Sequence, residues 1–455
     1  MITPIQTPFL IQILMRKLNN SFLSPSLSNL HFKILRFSSC FTVMGLWLLM
    51  DIGANRINAQ EFSGKIKTNE RIVWIGSTMV EREQRYGYWE TALAITNPKT
   101  DFVFRNLGWS GDTVYGDARA GFDTPAVGFH RLQELTLALK PTLIIISYGA
   151  NESFAGDKGI DNFKRGLKHL LEVLAPSKAT IVLTSPTPHE SLGPPFPDAS
   201  LANQHIKQYS EAIQMIAKER QLTFVDLFST MEPLVLSSSP THRFTDNGIH
   251  LTKNGYRELA PLWAKSIKQK IVPWKIQVSN DGAKTVQGTF IANWTNSQNF
   301  ELIDDHLPLP SAPLENDSAV SSDKKKGESV AASLPSYQRI LQIGNLKAGK
   351  YELLIDGKSI LYATAEEFSR GLPILYSPEW DQTEKLRRTI IDKNQLYFYR
   401  WRPQNETYLF GFRKHEQGRN AKEVVEFDPL IDAKEKEIAK LKIPTKHHYE
   451  IKEIK

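Results

Sequence analysis

Side chains capable of chemistry recur in this sequence directly after short apolar runs. Four segments carry hydroxyl, amide, carboxylate or imidazole groups: Ile75–Thr78, Asn106–Asp112, Tyr148–Glu152 and Thr245–Thr252. The fourth segment contains His250 and follows the last apolar run by enough residues to fold back over the others. Groups of these types serve enzymes in nucleophilic and acid–base chemistry. Because parallel strands end at one edge of a sheet, a single crevice could collect all four segments.

The apolar runs themselves predict the elements that would position these groups. Five runs have the length of strands: Ile72–Ile75, Phe102–Phe104, Leu143–Ile146, Ile181–Leu183 and Phe224–Leu227. Longer amphipathic stretches separate them, and from Phe163 to Leu174 the apolar residues share one helical face. Strands alternating with such helices indicate a parallel sheet covered on both sides. We therefore predict a flavodoxin-like, three-layer α/β/α domain over residues 60–272, closing with a helix from about Lys253 to Lys270.

The character of the sequence changes after Pro273. Residues 273–380 predict a smaller β-rich module with hairpin turns at Asp281-Gly282, Gly344-Asn345 and Asp356-Gly357. A stretch rich in Pro, Ser, Asp and Lys at about 307–335 predicts a disordered insertion within this module. Residues 381–455 predict a helical tail packed on the rest, with its last helix from about Pro429 to Leu441.

The N-terminus resembles a targeting segment. Lys33 and Arg36 precede an apolar run from Phe37 to Ile52, and a polar stretch then closes on Ala59. This pattern predicts a signal peptide over residues 1–59, cleavage after Ala59, and a periplasmic or secreted protein. An uncleaved membrane anchor is the alternative, but the apolar run is shorter than the roughly 20 residues that a spanning helix needs.

Composition narrows the classes of function. With 41% hydrophobic and 23% charged residues, the chain is typical of a globular protein. The formal charge of +7 includes five Lys/Arg and one Asp from residues 1–59, so cleavage would leave +3. That charge is too small and scattered to favour nucleic acid as a partner. Cys40 is the only cysteine and would be removed, so the mature chain would have neither disulfides nor thiolate chemistry.

The four polar segments, in this order, resemble the signatures of the SGNH/GDSL hydrolases (GDSL-like lipases/acylhydrolases). Those signatures are Gly-Asp-Ser-Leu, a Gly in a Ser-Gly-Asp-Thr-like turn, Gly-x-Asn-Asp and Asp-x-x-His, and the resemblance extends over about residues 71–272. It implies acyl transfer through a covalent intermediate, without metal or organic cofactor. It also implies that the Gly111 backbone N–H and the Asn151 side chain stabilise the oxyanion, and that His250 is the general base.

Two single-residue offsets separate this sequence from the family pattern. Aligned on Gly76, the family's nucleophilic Ser falls on Thr78 and its Asp falls on Ser77. Thr78 is the positional equivalent, although Ser77 could attack from a turn shifted by one residue. The residue three before His250 is Asn247, whereas the nearest carboxylate, Asp246, lies four before it. Either of these two residues, or a backbone carbonyl, could orient the imidazole.

These features predict an exported esterase that cleaves carboxylic esters, including O-acyl groups on carbohydrates or small metabolites. A catalytically degenerate domain that binds a glycan or another ligand is the alternative, and a structural envelope protein is a third. The predicted partner is a small-molecule or glycan ester, with no stable membrane span after cleavage. We expect no metal site, because no ligand spacing surrounds His242 or His250. His189, in a Pro-rich loop, could line the mouth of the crevice, but we expect it to lie on the surface.

Overall fold

The computed structural model describes residues 61–310 and 339–454. The predicted signal peptide, its cleavage site at Ala59 and most of the predicted insertion lie outside these residues. The first residues of that insertion are packed, since Leu307 is fully buried and Thr383 Oγ1 donates a hydrogen bond to the carbonyl oxygen of Pro308. None of the helices in the described ranges is long and apolar enough to cross a membrane.

A five-stranded parallel sheet forms the centre of the first domain. Its strands are β1 (Glu70–Gly76), β2 (Phe102–Asn106), β3 (Leu143–Ser147), β4 (Thr180–Thr184) and β5 (Thr223–Val225). The spatial order β2-β1-β3-β4-β5 confirms the predicted flavodoxin-like arrangement. The last strand stops at Val225, earlier than predicted, because the Asp226 side chain accepts a hydrogen bond from Ser229 N and caps the next helix.

Seven helices cover the two faces of this sheet. They are α1 (Thr78–Tyr86), α2 (Tyr88–Thr96), α3 (Pro125–Ala138), α4 (Ile160–Leu174), α5 (Ser200–Glu219), α6 (Leu227–Leu236) and α7 (Lys253–Ser266). Successive residues of β1 point to opposite faces: Val73 packs with α3, α4 and α5, whereas Trp74 packs with α1, α2, α6 and α7. The sheet is therefore covered by helices on both sides.

The second region is a β-sandwich. Its strands are β6 (Trp274–Val278), β7 (Lys284–Gln287), β8 (Thr289–Asn296), β9 (Asn299–Asp304), β10 (Arg339–Ile343), β11 (Lys350–Ile355), β12 (Lys358–Thr364), β13 (Leu372–Pro373) and β14 (Lys446–Ile454). They form two sheets, β13-β10-β6-β7 and β12-β11-β14-β9-β8, which share one apolar core. The predicted hairpins at Asp281-Gly282 and Asp356-Gly357 are present, but the one at Gly344-Asn345 is wrong, because β10 and β11 belong to different sheets.

The C-terminal region contains α8 (Ala365–Arg370), α9 (Pro378–Trp401), α10 (Glu406–Leu409), α11 (Lys414–Gln417) and α12 (Phe427–Leu441). Helix α9 packs on the α/β domain, where Lys393 Nζ lies 2.6 Å from Glu90 Oε1 and both side chains are buried. The chain does not end in helix, since β14 returns to the sandwich and pairs with β9 and β11. Alternate residues of β14, such as Tyr449 and Ile451, are buried, which is the period of a strand.

Candidate active site

The two candidate hydroxyl groups lie where β1 passes into α1. Ser77 is the N-cap of the helix, is buried, and accepts hydrogen bonds at its Oγ from Thr78 N (2.6 Å) and Asn151 Nδ2 (3.0 Å). Thr78 is the first helical residue and is partly exposed, and its Oγ1 accepts from Gly111 N at 3.2 Å. Each hydroxyl oxygen therefore contacts one of the two groups predicted to stabilise an oxyanion.

The loop after β2 approaches α1 closely and turns sharply. A Cβ atom at Gly108 would lie 2.2 Å from Glu81 N, so only glycine fits there, and Gly111 has a φ of +79°. Beyond the turn, the fully buried Asp112 carboxylate accepts from Arg119 Nε at 2.7 Å and from Tyr148 OH at 2.8 Å. Burial raises the pKa of Asp112, while the Arg119 guanidinium opposes that shift. These contacts anchor the residue that directly follows Gly111.

The loop after β3 is tied to the loop after β2 by two side chains. Asn151 Nδ2 donates to the carbonyl oxygen of Asp112 at 2.8 Å in addition to its contact with Ser77. Glu152 accepts from Val114 N at one carboxylate oxygen and from Gly149 N at the other, both at 2.9 Å. Burial raises the pKa of Glu152 to about 7, and the backbone hydrogen bonds oppose the shift. Glu152 thus bridges the two loops that carry the predicted oxyanion donors.

The side chain facing the δ nitrogen of His250 is Asn247. Asn247 Oδ1 accepts the backbone N–H groups of His250 (2.9 Å) and Ile249 (3.1 Å), which turns Nδ2 toward His250 Nδ1 at 3.2 Å. An amide nitrogen can only donate, so Nδ1 accepts this hydrogen bond and the proton of a neutral imidazole resides on Nε2. In serine proteases the corresponding orienting residue is a carboxylate, which favours the opposite tautomer.

Asp246 makes a different contact. Its carboxylate lies 2.6 Å from Arg82 Nη2, and only its backbone N–H reaches His250, donating to the carbonyl oxygen at 3.0 Å. Burial lowers the pKa of His250, the positive charge of Arg82 lowers it further, and Asp246 partly opposes both. His250 is therefore held neutral over a wider pH range than a free histidine.

Glu190 organises the loop that carries His250. Its buried carboxylate accepts hydrogen bonds from Phe244 N, Thr245 N and Thr245 Oγ1, at 3.2, 2.8 and 2.5 Å. Sequence reasoning assigned no role to Glu190 or to Arg82. Arg82 follows Thr78 by four residues in α1, so the helical period places it on the same face as Thr78. Glu190 and Thr245 are more than 50 residues apart in the sequence, so no local pattern predicts their contact.

One small cavity of about 50 Å³ brings three of the four segments together, because Ser77, Thr78, Asn151 and His250 line it. Gly111, from the second segment, does not line the cavity and joins the site through its contact with Thr78 Oγ1. Within the described residues, no hydrogen bond joins His250 to either hydroxyl. Such contacts often form only when substrate binds.

His189 also lines this cavity, so its predicted surface position is wrong. The Asn203 side chain hydrogen-bonds both the N–H and the carbonyl oxygen of His189 and holds this loop against the domain. Burial lowers the pKa of His189 to about 4, with a smaller contribution from His250. The imidazole of His189 is therefore neutral near pH 7 and forms part of the cavity wall.

A parallel sheet in the order β2-β1-β3-β4-β5, flanked by helices and with four polar segments at its carboxyl edge, matches the SGNH fold. Residues 74–258 match the GDSL-like Lipase/Acylhydrolase family. The domain belongs to the SGNH/GDSL hydrolase superfamily.

Two plant proteins are similar to this chain in sequence. It is 27% identical over 259 residues to the GDSL esterase/lipase CPRD49 of Arabidopsis thaliana, an alignment covering 50% of this chain and 94% of that protein. It is 26% identical over 202 residues to the GDSL esterase/lipase WDL1 of Oryza sativa subsp. japonica, covering 40% and 72%. Both alignments extend over about half of this chain or less.

A solved structure is similar over a longer part of the chain. The fold of a gut microbial diltiazem-metabolizing enzyme matches with a TM-score of 0.64 at 18% identity, covering 87% of this chain and all of that one. The likeness of fold therefore extends beyond the α/β domain into the C-terminal half.

Proposed function

We propose that the domain hydrolyses carboxylic esters with small acyl groups, with Thr78 as nucleophile and His250 as general base. One observation carries the proposal: Thr78, Asn151 and His250 line a single cavity, and the Gly111 N–H lies 3.2 Å from Thr78 Oγ1. Thr78 is favoured over Ser77 because it is more accessible and begins the helix. The Ser77 hydroxyl accepts two N–H groups and serves to hold Asn151 in place.

In the proposed reaction, Thr78 Oγ1 attacks the ester carbonyl while His250 accepts the hydroxyl proton. The negative charge that develops on the carbonyl oxygen is stabilised by the N–H groups of Gly111 and Asn151, and one such donor contributes about 3 kcal/mol. The imidazolium returns its proton to the departing alcohol. Water then attacks the carbonyl of the acyl-Thr78 intermediate while His250 accepts its proton, and return of that proton to Thr78 Oγ1 releases the carboxylic acid. In the resting site Asn247 favours a proton on Nε2, so the imidazole must change tautomer first, and we expect slow turnover.

The size of the cavity supports a short acyl group. Pockets that enclose a drug-sized ligand measure roughly 300–1,000 Å³, whereas this cavity measures about 50 Å³. It holds only a few heavy atoms, as in an acetyl group, so the alcohol part of the ester would remain outside. A sugar or another small metabolite is the proposed alcohol, in an exported protein.

The test is turnover of p-nitrophenyl acetate and p-nitrophenyl butyrate by the wild type and three variants. Thr78→Val keeps the shape of the side chain and removes the hydroxyl, so it should abolish hydrolysis. Thr78→Ser removes a methyl group that crowds the attacking oxygen, so it should raise the rate. Ser77→Ala keeps the proposed nucleophile and should retain part of the activity. A wild type that is folded but inactive on both esters would contradict the proposal, as would a fully active Thr78→Val.

A second candidate function is ligand binding without turnover, and the contact from Asn247 Nδ2 to His250 Nδ1 favours it. Under this alternative an acetylated sugar would raise the melting temperature without being hydrolysed. Adding the sugar to the wild type and following both melting and acetate release separates the two functions.

A further inference from the structure

The C-terminal tail reaches the predicted oxyanion loop through one arginine. Arg402 directly follows α9, and its Nη1 lies 2.8 Å from Glu81 Oε2. The same carboxylate oxygen accepts the backbone N–H of Ser110 at 2.7 Å. Ser110 directly precedes Gly111, so a chain of two charge-assisted contacts links the tail to the residue that contacts Thr78.

Arg402 also stacks on the loop itself. Its guanidinium carbon lies 3.5 Å from the centre of the Trp109 ring, and the neighbouring Trp401 meets Trp109 edge to face at 5.8 Å. Trp109 is buried, and its backbone N–H donates to the carbonyl oxygen of Gly76 at 3.0 Å. A cation over an indole ring at such a partly desolvated position is a favourable contact. The tail therefore contacts the ring of Trp109, two residues before Gly111, in addition to its contact with Glu81.

Glu81 connects α1, the loop after β2 and the C-terminal tail. It lies in the first turn of α1, three residues after Thr78, and its side chain is 9% exposed. A carboxylate at this depth needs both a cation and hydrogen-bond donors, which Arg402 and Ser110 supply. Loss of Arg402 would leave Glu81 without its cation, and the carboxylate would then turn toward water and release Ser110.

We propose that Arg402 is a positioning residue, through which the C-terminal tail fixes the oxyanion loop against the first turn of α1. This inference rests on the proposed esterase function for its effect on rate. Its effect on the loop is independent of catalysis, because the Ser110 N–H is protected by Glu81 whether or not the site turns over.

The experiment compares Arg402→Gln with Arg402→Lys and with a matched control, Arg400→Gln. Arg400 occupies the same end of α9 but pairs with Asp428 at the surface, at 2.8 Å. Hydrogen exchange of the peptide containing Ser110 measures the loop, and kcat and KM for p-nitrophenyl acetate measure the consequence. Urea unfolding of each variant separates a local effect from a loss of stability.

We expect Arg402→Gln to speed exchange at Ser110 and to lower kcat roughly 10- to 100-fold, since misplacing a group by about 1 Å can cost 10²-fold. KM should change little. Arg402→Lys keeps the charge and should recover part of the rate, and Arg400→Gln should match the wild type. Unchanged exchange at Ser110 in a folded Arg402→Gln would overturn the inference, and so would faster exchange without loss of kcat. If the wild type itself is inactive, the proposed function fails, and exchange at Ser110 alone then decides the positioning role.

Discussion

Replacing Asn247 by aspartate should increase the rate of ester hydrolysis. The Oδ1 atom of residue 247 already accepts two backbone N–H groups, so an aspartate would keep that contact. Its second oxygen would then replace Nδ2, 3.2 Å from His250 Nδ1, and would accept a hydrogen bond where the amide donates one. Asn247→Asp therefore favours the tautomer with a free Nε2 and stabilises the imidazolium formed during attack.

The size of the effect follows from that separation. Opposite unit charges 3.2 Å apart attract by about 1 kcal/mol in bulk water and about 5 kcal/mol at an effective dielectric constant of 20. Because His250 is only half-buried, solvent screening favours the lower part of this range. We expect at least a tenfold gain in kcat, below the roughly 10⁴-fold cost of the reverse exchange in a serine protease.

The assay is kcat/KM for p-nitrophenyl acetate as a function of pH. A carboxylate beside Nδ1 raises the pKa of His250, so the imidazole becomes neutral only at higher pH. The acid limb of the pH–rate profile should therefore shift to higher pH. Asp246→Asn is the matched control, because it removes the carboxylate held by Arg82 without changing the contact at Nδ1. If Asn247→Asp has no effect and Asp246→Asn abolishes activity, Asp246 and not residue 247 orients the base.

Two other substitutions test the surroundings of the site. Arg82→Gln removes a positive charge that lowers the pKa of His250, so the acid limb of the pH–rate profile should shift to higher pH, and an unshifted limb would contradict this electrostatic role. Lys393→Ala leaves the buried Glu90 carboxylate without its cation, which should cost about 3–5 kcal/mol in the free energy of unfolding in urea. A loss below about 1 kcal/mol would show that α9 is not docked through this buried pair.

The sequence predicted the sheet and the meeting of its four polar segments, because both follow from local patterns. Apolar runs of strand length and the residues just after them are visible without long-range information. The orientation of Asp246 was not predictable, since its partner Arg82 lies 164 residues away in the chain. The same reason applies to Arg402, which contacts Glu81 across 321 residues. Contacts between residues that are far apart in the chain depend on tertiary packing, which no local spacing reveals.

In the proposed reaction, a hydroxyl group of the first segment forms a covalent acyl intermediate with the help of His250. The most direct test is reaction with a fluorophosphonate followed by mass spectrometry of the peptide containing Ser77 and Thr78. We predict a single adduct on Thr78 in the wild type, and none in Thr78→Val or His250→Ala. An adduct on Ser77 would move the nucleophile by one residue. A folded wild type that forms no adduct and hydrolyses no ester would contradict the proposed esterase function.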